Sequence, residues 1–182
     1  MERSKSGWAL RTARADEAES IAALHTGSWR RTYRGMMTDA FLDGPALDDR
    51  RRVWRERLTI PQPGQFVCVA DLDSSIVGFI CVFANEDPVW GSYIDNLHVA
   101  HDMHRSGIGR ALMWRAGEWL CAKALQAGVY LWVMEANAPA RAFYHRLGAT
   151  NAGTVDLEDP GGGRAPNCRY VWDAPRLLVT PP

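Results

Sequence analysis

Apolar and polar positions recur along this chain with periods that spell out most of its elements. Residues 8–13 read as a first strand. Asp16 then caps a predicted helix, with Glu19 three residues on as a capping box and Ala18, Ile21, Ala22, Leu24 and His25 at helical spacing. Gly27 and Gly35 interrupt, so residues 16–34 read as one broken helix or two short ones. Leu47, Arg51, Val53, Trp54 and Leu58 mark an amphipathic helix over 46–58, ended by Pro61-Gln62-Pro63-Gly64. Residues 66–70 and 76–83 form a predicted hairpin about the turn 71–75. A loop over 85–91 leads to a third strand of the sheet, 93–99. The clearest helix is 107–126, stopped by Gly128. Residues 129–134, a strand between two helices, should lie parallel to the strand before. Asn137 caps a further helix with Pro139 in its first turn, and Gly148 closes it. Residues 152–157 and 168–173 read as a last strand pair around a Gly/Pro-rich, non-rigid loop from Glu158 to Pro166. Residues 1–7 and 175–182 are expected to be loose, and no repeat or linker divides the 182 residues, which read as one domain.

Composition narrows the partners. Lys plus Arg balances Asp plus Glu for a formal net charge of zero, which argues against nucleic acid or membrane held by a charge field. Arg50-Arg51-Arg52 sits among Asp48, Asp49 and Glu56 and reads as a solvated helix face. Cys68, Cys81, Cys121 and Cys168 have no CxxC spacing, so they read as buried free thiols in a reducing cytoplasm, without a metal. No apolar leader or 18-residue apolar run occurs, in keeping with a cytoplasmic chain. Among eight tryptophans, Trp54, Trp114, Trp119 and Trp132 fall on apolar faces as expected core, whereas Trp90, beside Pro88 and Gly91, is placed to line a pocket.

Candidate chemistry concentrates between Asn96 and Leu112. A strand ends at Val99, a polar loop follows, and Gly107-x-Gly109 opens a helix at once. Backbone N–H groups and a helix N-terminus then face a space that favours phosphate or pyrophosphate. A dinucleotide fingerprint needs a third glycine where Leu112 stands, and a Walker loop needs Gly-Lys-Ser/Thr, so neither pattern is met.

The loop, together with Asn137-x-x-Ala140-x-x-Phe143-Tyr144-x-x-Leu147-Gly148-Ala149, resembles the acetyl-CoA-binding core of the GNAT N-acetyltransferase superfamily. The likeness is specific from Tyr93 to Ala149; Val77-Gly78-Phe79 and His25-x-x-Ser28-Trp29-Arg30 also fit. It implies an α/β fold with a mixed, mostly antiparallel central sheet flanked by helices and splayed between the strands ending near Val99 and Val133. Acetyl-CoA would lie along Leu97, His98 and Val99 and on His104, Arg105, Ser106, Gly107, Ile108, Gly109 and Arg110, with Asn137 and Ala140 at its pantetheine arm. Two positions depart from the family pattern: His104 stands where Gln or Arg is usual, and His101 where a proline is usual.

The implied activity is acetyl transfer to a primary amine of a small molecule or peptide by direct attack. Tyr144 matches the family's general-acid tyrosine. The base is more open: Asp95 comes first, Glu86 or Asp87 next, and Glu135 reads as a helix-entry carboxylate. His98 alternates away from Asp95 and would face the substrate side only if the strand bulges. Acceptor contacts are expected from Trp29, Tyr33 and Trp90, within the regions 29–41 and 153–170 that the resemblance assigns to the acceptor, with Arg30, Arg31 and Arg34 nearby. The resemblance also allows a homodimer. The alternative on the same fold is a non-catalytic acyl-CoA sensor.

Overall fold

The computed structural model describes residues 7–123 and 127–179. Seven strands form one sheet in the order β1-β2-β3-β4-β5-β7-β6. Strands β1 (Ala9–Thr12), β2 (Gln65–Leu72), β3 (Ser75–Asp87) and β4 (Gly91–Val99) make an antiparallel meander. Helices α1 (Ala18–Thr32), α2 (Asp39–Asp43) and α3 (Ala46–Thr59) fill the connection from β1 to β2. Helix α4 (Ile108–Ala122) crosses over to β5 (Val129–Met134), which lies parallel to β4, as the helical connection requires. Helix α5 (Ala138–Arg146) precedes the antiparallel pair β6 (Thr150–Glu158) and β7 (Arg164–Trp172). The expected extension of α4 to residue 126, and the expected loose segments at 1–6 and 180–182, lie outside the described residues.

The sheet separates two apolar layers. Ile108, Leu112, Met113, Ala116 and Leu120 recur at helical spacing along α4 and pack with Ile80, Val82, Ile94, Leu131 and Tyr144 on one face. Ile21 and Ala22 of α1 and Trp54 of α3 cover Val67, Val69, Phe79 and Phe83 on the other. No helix among the described residues is long and apolar enough to cross a membrane.

Several expectations need correction, some through local turn contacts and some through contacts remote in sequence. Helix α1 runs unbroken through Gly27, held by its buried stripe. Its entry does not pair Asp16 with Glu19. Instead a 3₁₀ turn, Ala15–Glu17, precedes it, and the Arg14 N–H donates to Glu17 Oε2 at 2.7 Å. Strand β3 continues to Asp87, through half of the expected loop. The expected Gly/Pro-rich loop contracts to residues 159–163, because the buried Asp159 accepts from the Gly161 and Gly163 N–H groups at 2.7 and 3.3 Å. Pro175–Leu178 is a 3₁₀ turn rather than loose chain, with Leu178 buried against Gly117 of α4. Cys121 is exposed, whereas the free thiols of Cys68, Cys81 and Cys168 are buried.

One polar network carries a measurable consequence. Arg11 holds Glu17 at 2.6 Å through Nη2 and at 2.9 Å through Nη1, and also bonds Asp71. This contact holds the Glu17 carboxyl below its ordinary value of 4.5. Its contribution is therefore present above the unfolded value and is lost as pH falls through the folded one. Glu17→Gln should cost about 1–3 kcal/mol at pH 7. The deficit should shrink on titration below pH 4.5. Urea unfolding at pH 7 and at acid pH checks this; a deficit independent of pH would contradict it.

Candidate active site

Strands β4 and β5 touch through only two residue pairs, Ser92 with Val129 and Tyr93 with Tyr130. Gly91 makes that contact possible. It adopts φ 83°, and a Cβ there would lie 2.1 Å from the Gly128 carbonyl oxygen. Beyond Tyr93 the strands part, and the facing backbone edges of residues 94–99 and 131–134 carry no ladder bonds to each other. A bulge lies in the same stretch of β4: Cys81 pairs with Asn96 and Val82 with Ile94, so Asp95 has no residue opposite it on β3.

At the open end of the splay stands the glycine loop. His101–Met103 forms a 3₁₀ turn, Arg105 adopts φ 64° and Gly107 adopts φ 86° as the N-cap of α4. The left-handed Gly107 turns the chain so that the first turn of α4 faces outward. Ala111 donates to the Gly107 carbonyl at 3.0 Å as the helical ladder begins, so Ile108 and Gly109 precede the first intrahelical bond of α4. Ile108 is buried beneath the loop, while Arg105, Gly107 and Arg110 are exposed. Ser106 donates through Oγ to the Met103 carbonyl at 2.6 Å and shapes the turn. His104 turns back, its Nε2 lying 3.1 Å from the Val99 carbonyl, so this ring braces the loop against the end of β4.

The other arm of the splay carries Asn137 and Tyr144. The Asn137 side chain accepts from the Ala140 N–H at 3.3 Å as the N-cap of α5. The Tyr33 hydroxyl at the end of α1 lies near the same side chain. Tyr144 is buried against Tyr170 and Trp172, with Tyr33 as its electrostatic neighbour. Burial raises its phenol above the ordinary value, so it keeps its proton at neutral pH.

The bulge brings Asp95 and His98 to the same face, the one covered by α1 and α3. Asp95 pairs with Arg57 of α3, which lies over the Trp54 and Phe83 rings; the Asn96 amide reaches the same oxygen, Oδ2. His98 Nδ1 lies 2.8 Å from Ser28 Oγ, and its ring sits 4.4 Å from His25 and 5.3 Å from Phe79. Burial lowers His98 to about 3, so the ring is neutral at pH 7. Trp54 Nε1 donates to His25 Nδ1 at 3.0 Å, so the His25 proton sits on Nε2, which is buried without a partner. The sequence offered His25-x-x-Ser28 and His98 separately, and the bulge in β4 is what brings them into one cluster.

The other predicted residues divide. Leu97 and Val99 pack toward α4, opposite His98. Trp29 is buried between His25, Phe41 and Arg50. Arg50 is accordingly buried, unlike the solvated Arg52. Arg30 donates to the Leu42 carbonyl and Arg34 pairs with Asp39 and Asp43, so these cations brace the α1–α2 corner. Glu86 is exposed, Asp87 accepts from the Val89 and Trp90 N–H groups, and Glu135 is exposed beside α5. Trp90 and Trp132, the latter expected in the core, both lie against Arg169.

A family profile described as "Acetyltransferase (GNAT) family" matches residues 11–149. The uncharacterized N-acetyltransferase YuaI of Bacillus subtilis is 26% identical over 154 residues, covering 84% of this chain and 86% of that protein. A probable N-acetyltransferase of Mycobacterium tuberculosis is 27% identical over 143 residues, covering 75% and 76% of the two. Among solved structures, a GCN5-related N-acetyltransferase from Rhodopseudomonas palustris aligns with a TM-score of 0.74 at 20% identity, over 95% of this chain and 98% of that one. The PaiA N-acetyltransferase of Thermoplasma acidophilum, in complex with coenzyme A, aligns with a TM-score of 0.71 at 17% identity, over 91% and 98%. These two likenesses establish a shared fold.

Proposed function

The chain belongs to the GNAT acetyltransferase family, and from that premise we propose that it moves an acetyl group from acetyl-CoA to a primary amine of a small molecule or peptide by direct attack. The observation that carries this reading is the splay of β4 from β5, with the outward-facing start of α4 at one arm and the Tyr144 phenol at the other. The Gly107–Gly109 backbone at the start of α4 suits a pyrophosphate. The unladdered edges of β4 and β5 suit an amide-bearing arm that needs strand-like partners. The coenzyme A bound by the PaiA relative supports the same assignment.

The amine nitrogen attacks the thioester carbonyl, a C–N bond forms, and the C–S bond breaks. Backbone N–H groups around Leu97–Val99 stabilise the charge that develops on oxygen. Tyr144 delivers a proton to the departing thiolate. Freeing an ordinary amine of its proton at pH 7 costs about 4 kcal/mol, so the acceptor needs a proton path. Asp95 is the proposed end of that path through Oδ1, because Oδ2 is occupied by Arg57 and Asn96. That occupation also favours a second reading, a non-catalytic acyl-CoA sensor.

Thiol release from acetyl-CoA separates the two. The panel comprises simple amines, amino acids, polyamines, aminoglycosides and N-terminal peptides. Release stimulated by one class is the expected result. Tight coenzyme A binding with no release across the panel would favour the sensor.

A further inference from the structure

Many arginines among the described residues bond carboxylates or backbone carbonyls, whereas Arg169 on β7 lies against two indole rings. Its guanidinium carbon lies 4.3 Å from the Trp90 ring centroid and 4.3 Å from that of Trp132. Asp87 builds one wall of this arrangement: its Oδ1 accepts from the Val89 and Trp90 N–H groups at 2.7 and 2.9 Å and so holds the Trp90 loop in place. Trp132 forms the other wall, being the β5 residue directly paired with Arg169. Two indole faces lie against the cation, whose planar edge carries its N–H donors. Among the described residues that edge has no carboxylate in ion-pair contact and donates no side-chain hydrogen bond. Its Nε is buried without a partner. A desolvated guanidinium N–H without an acceptor is unfavourable, and a planar two-oxygen anion satisfies it side-on.

The position matters as much as the chemistry. Tyr93 stacks on Tyr130 at 4.9 Å and belongs to the layer under α1 and α3. Trp132, two residues beyond Tyr130, shares that face, as do its partner Arg169 and, on β4, Asp95 and His98. Arg169 therefore lies on the acceptor side, two strands from β4, or about 10 Å across the sheet.

We propose that Arg169, held between Trp90 and Trp132, is the specificity site for a carboxylate on the acceptor, so that the amine acetylated belongs to an amino acid or to another carboxylate-bearing molecule. This rests on the acetyl-transfer reading for its substrate role, but not for the binding itself. Two measurements test it. In arginine-¹⁵N-labelled protein saturated with coenzyme A, the Arg169 Nε–H resonance, assigned by its loss in Arg169→Lys, is followed on adding N-acetyl α- and ω-amino acids and their carboxamides. Carboxylates should shift it and carboxamides should not. In turnover, acceptors bearing a carboxylate should exceed their carboxamides by about 10- to 100-fold in kcat/KM, and Arg169→Gln should erase that preference without changing the KM for acetyl-CoA. A resonance that no carboxylate moves, or an Arg169→Gln loss equal for acids and amides, would overturn the proposal. A shifted resonance with no transfer to any acceptor would uphold the carboxylate site and overturn the enzyme reading instead.

Discussion

Tyr144→Phe should lower kcat by about 10- to 1000-fold while leaving acetyl-CoA affinity nearly unchanged. The substitution removes one oxygen from a ring packed against Tyr170 and Trp172, so the surrounding core keeps its shape. Its hydroxyl bonds no other described residue, so no structural bond is lost. Burial keeps the phenol protonated through neutral pH, as a donor to a leaving thiolate must be. The thiolate is already a good leaving group, which bounds the loss. Single-turnover kinetics at saturating acetyl-CoA, beside a coenzyme A titration, separate chemistry from binding. An unchanged rate would remove Tyr144 from the mechanism. The neighbouring Tyr33, partly buried and with its phenol raised above the ordinary value, is the control: Tyr33→Phe should leave most of the rate in place.

The second large effect belongs to Gly107→Asp. Nothing lies within 4 Å of a Cβ at this position, so crowding is not the issue. The φ of 86° imposes strain on any non-glycine residue, and the carboxylate would stand where the pyrophosphate is proposed to sit. Coenzyme A affinity should fall by about 30- to 100-fold, about 2–3 kcal/mol. Helix stability should move little, because an aspartate at an N-cap favours the helix and offsets the strain. Gly107→Asn supplies the neutral control: asparagine tolerates left-handed backbone and adds no charge, so most affinity should survive. Calorimetry at low and high salt checks the electrostatic origin, since the Asp deficit should narrow as salt rises. Equal losses for Asp and Asn would assign the effect to backbone shape and contradict the charge argument.

The parts of this molecule that were legible in its sequence are those decided locally. The strand ending at Val99, the glycine-led start of α4 and the Asn137 cap each depend on residues within one turn, and each stands where periodicity and capping chemistry place it. Features made by distant partners stayed hidden. Asp95 was expected as the first candidate base, and its pairing with Arg57, 38 residues away, could not be read from the sequence. His98 was expected to share a face with Asp95 only if the strand bulged, and only the register against β3 reveals that it does. Trp132 read as core because nothing near it in the chain announces Arg169. The turn at Pro175–Leu178 looked loose because its reason for order, the shallow surface over Gly117, belongs to another helix.

The two-pair contact between β4 and β5 makes the sheet two plates joined along a short seam. One plate is the β1–β4 meander; the other is β5, β7 and β6. Ladder bonds hold each plate along its length, but across the seam cohesion falls mainly to side chains such as the Tyr93–Tyr130 stack. Amide hydrogen exchange should therefore be fastest, among the central strands, at the β5 edge beyond Tyr130, through openings smaller than global unfolding. A ligand lying along the splay would act as a staple between the plates, and its binding free energy would add to the work of prising them apart.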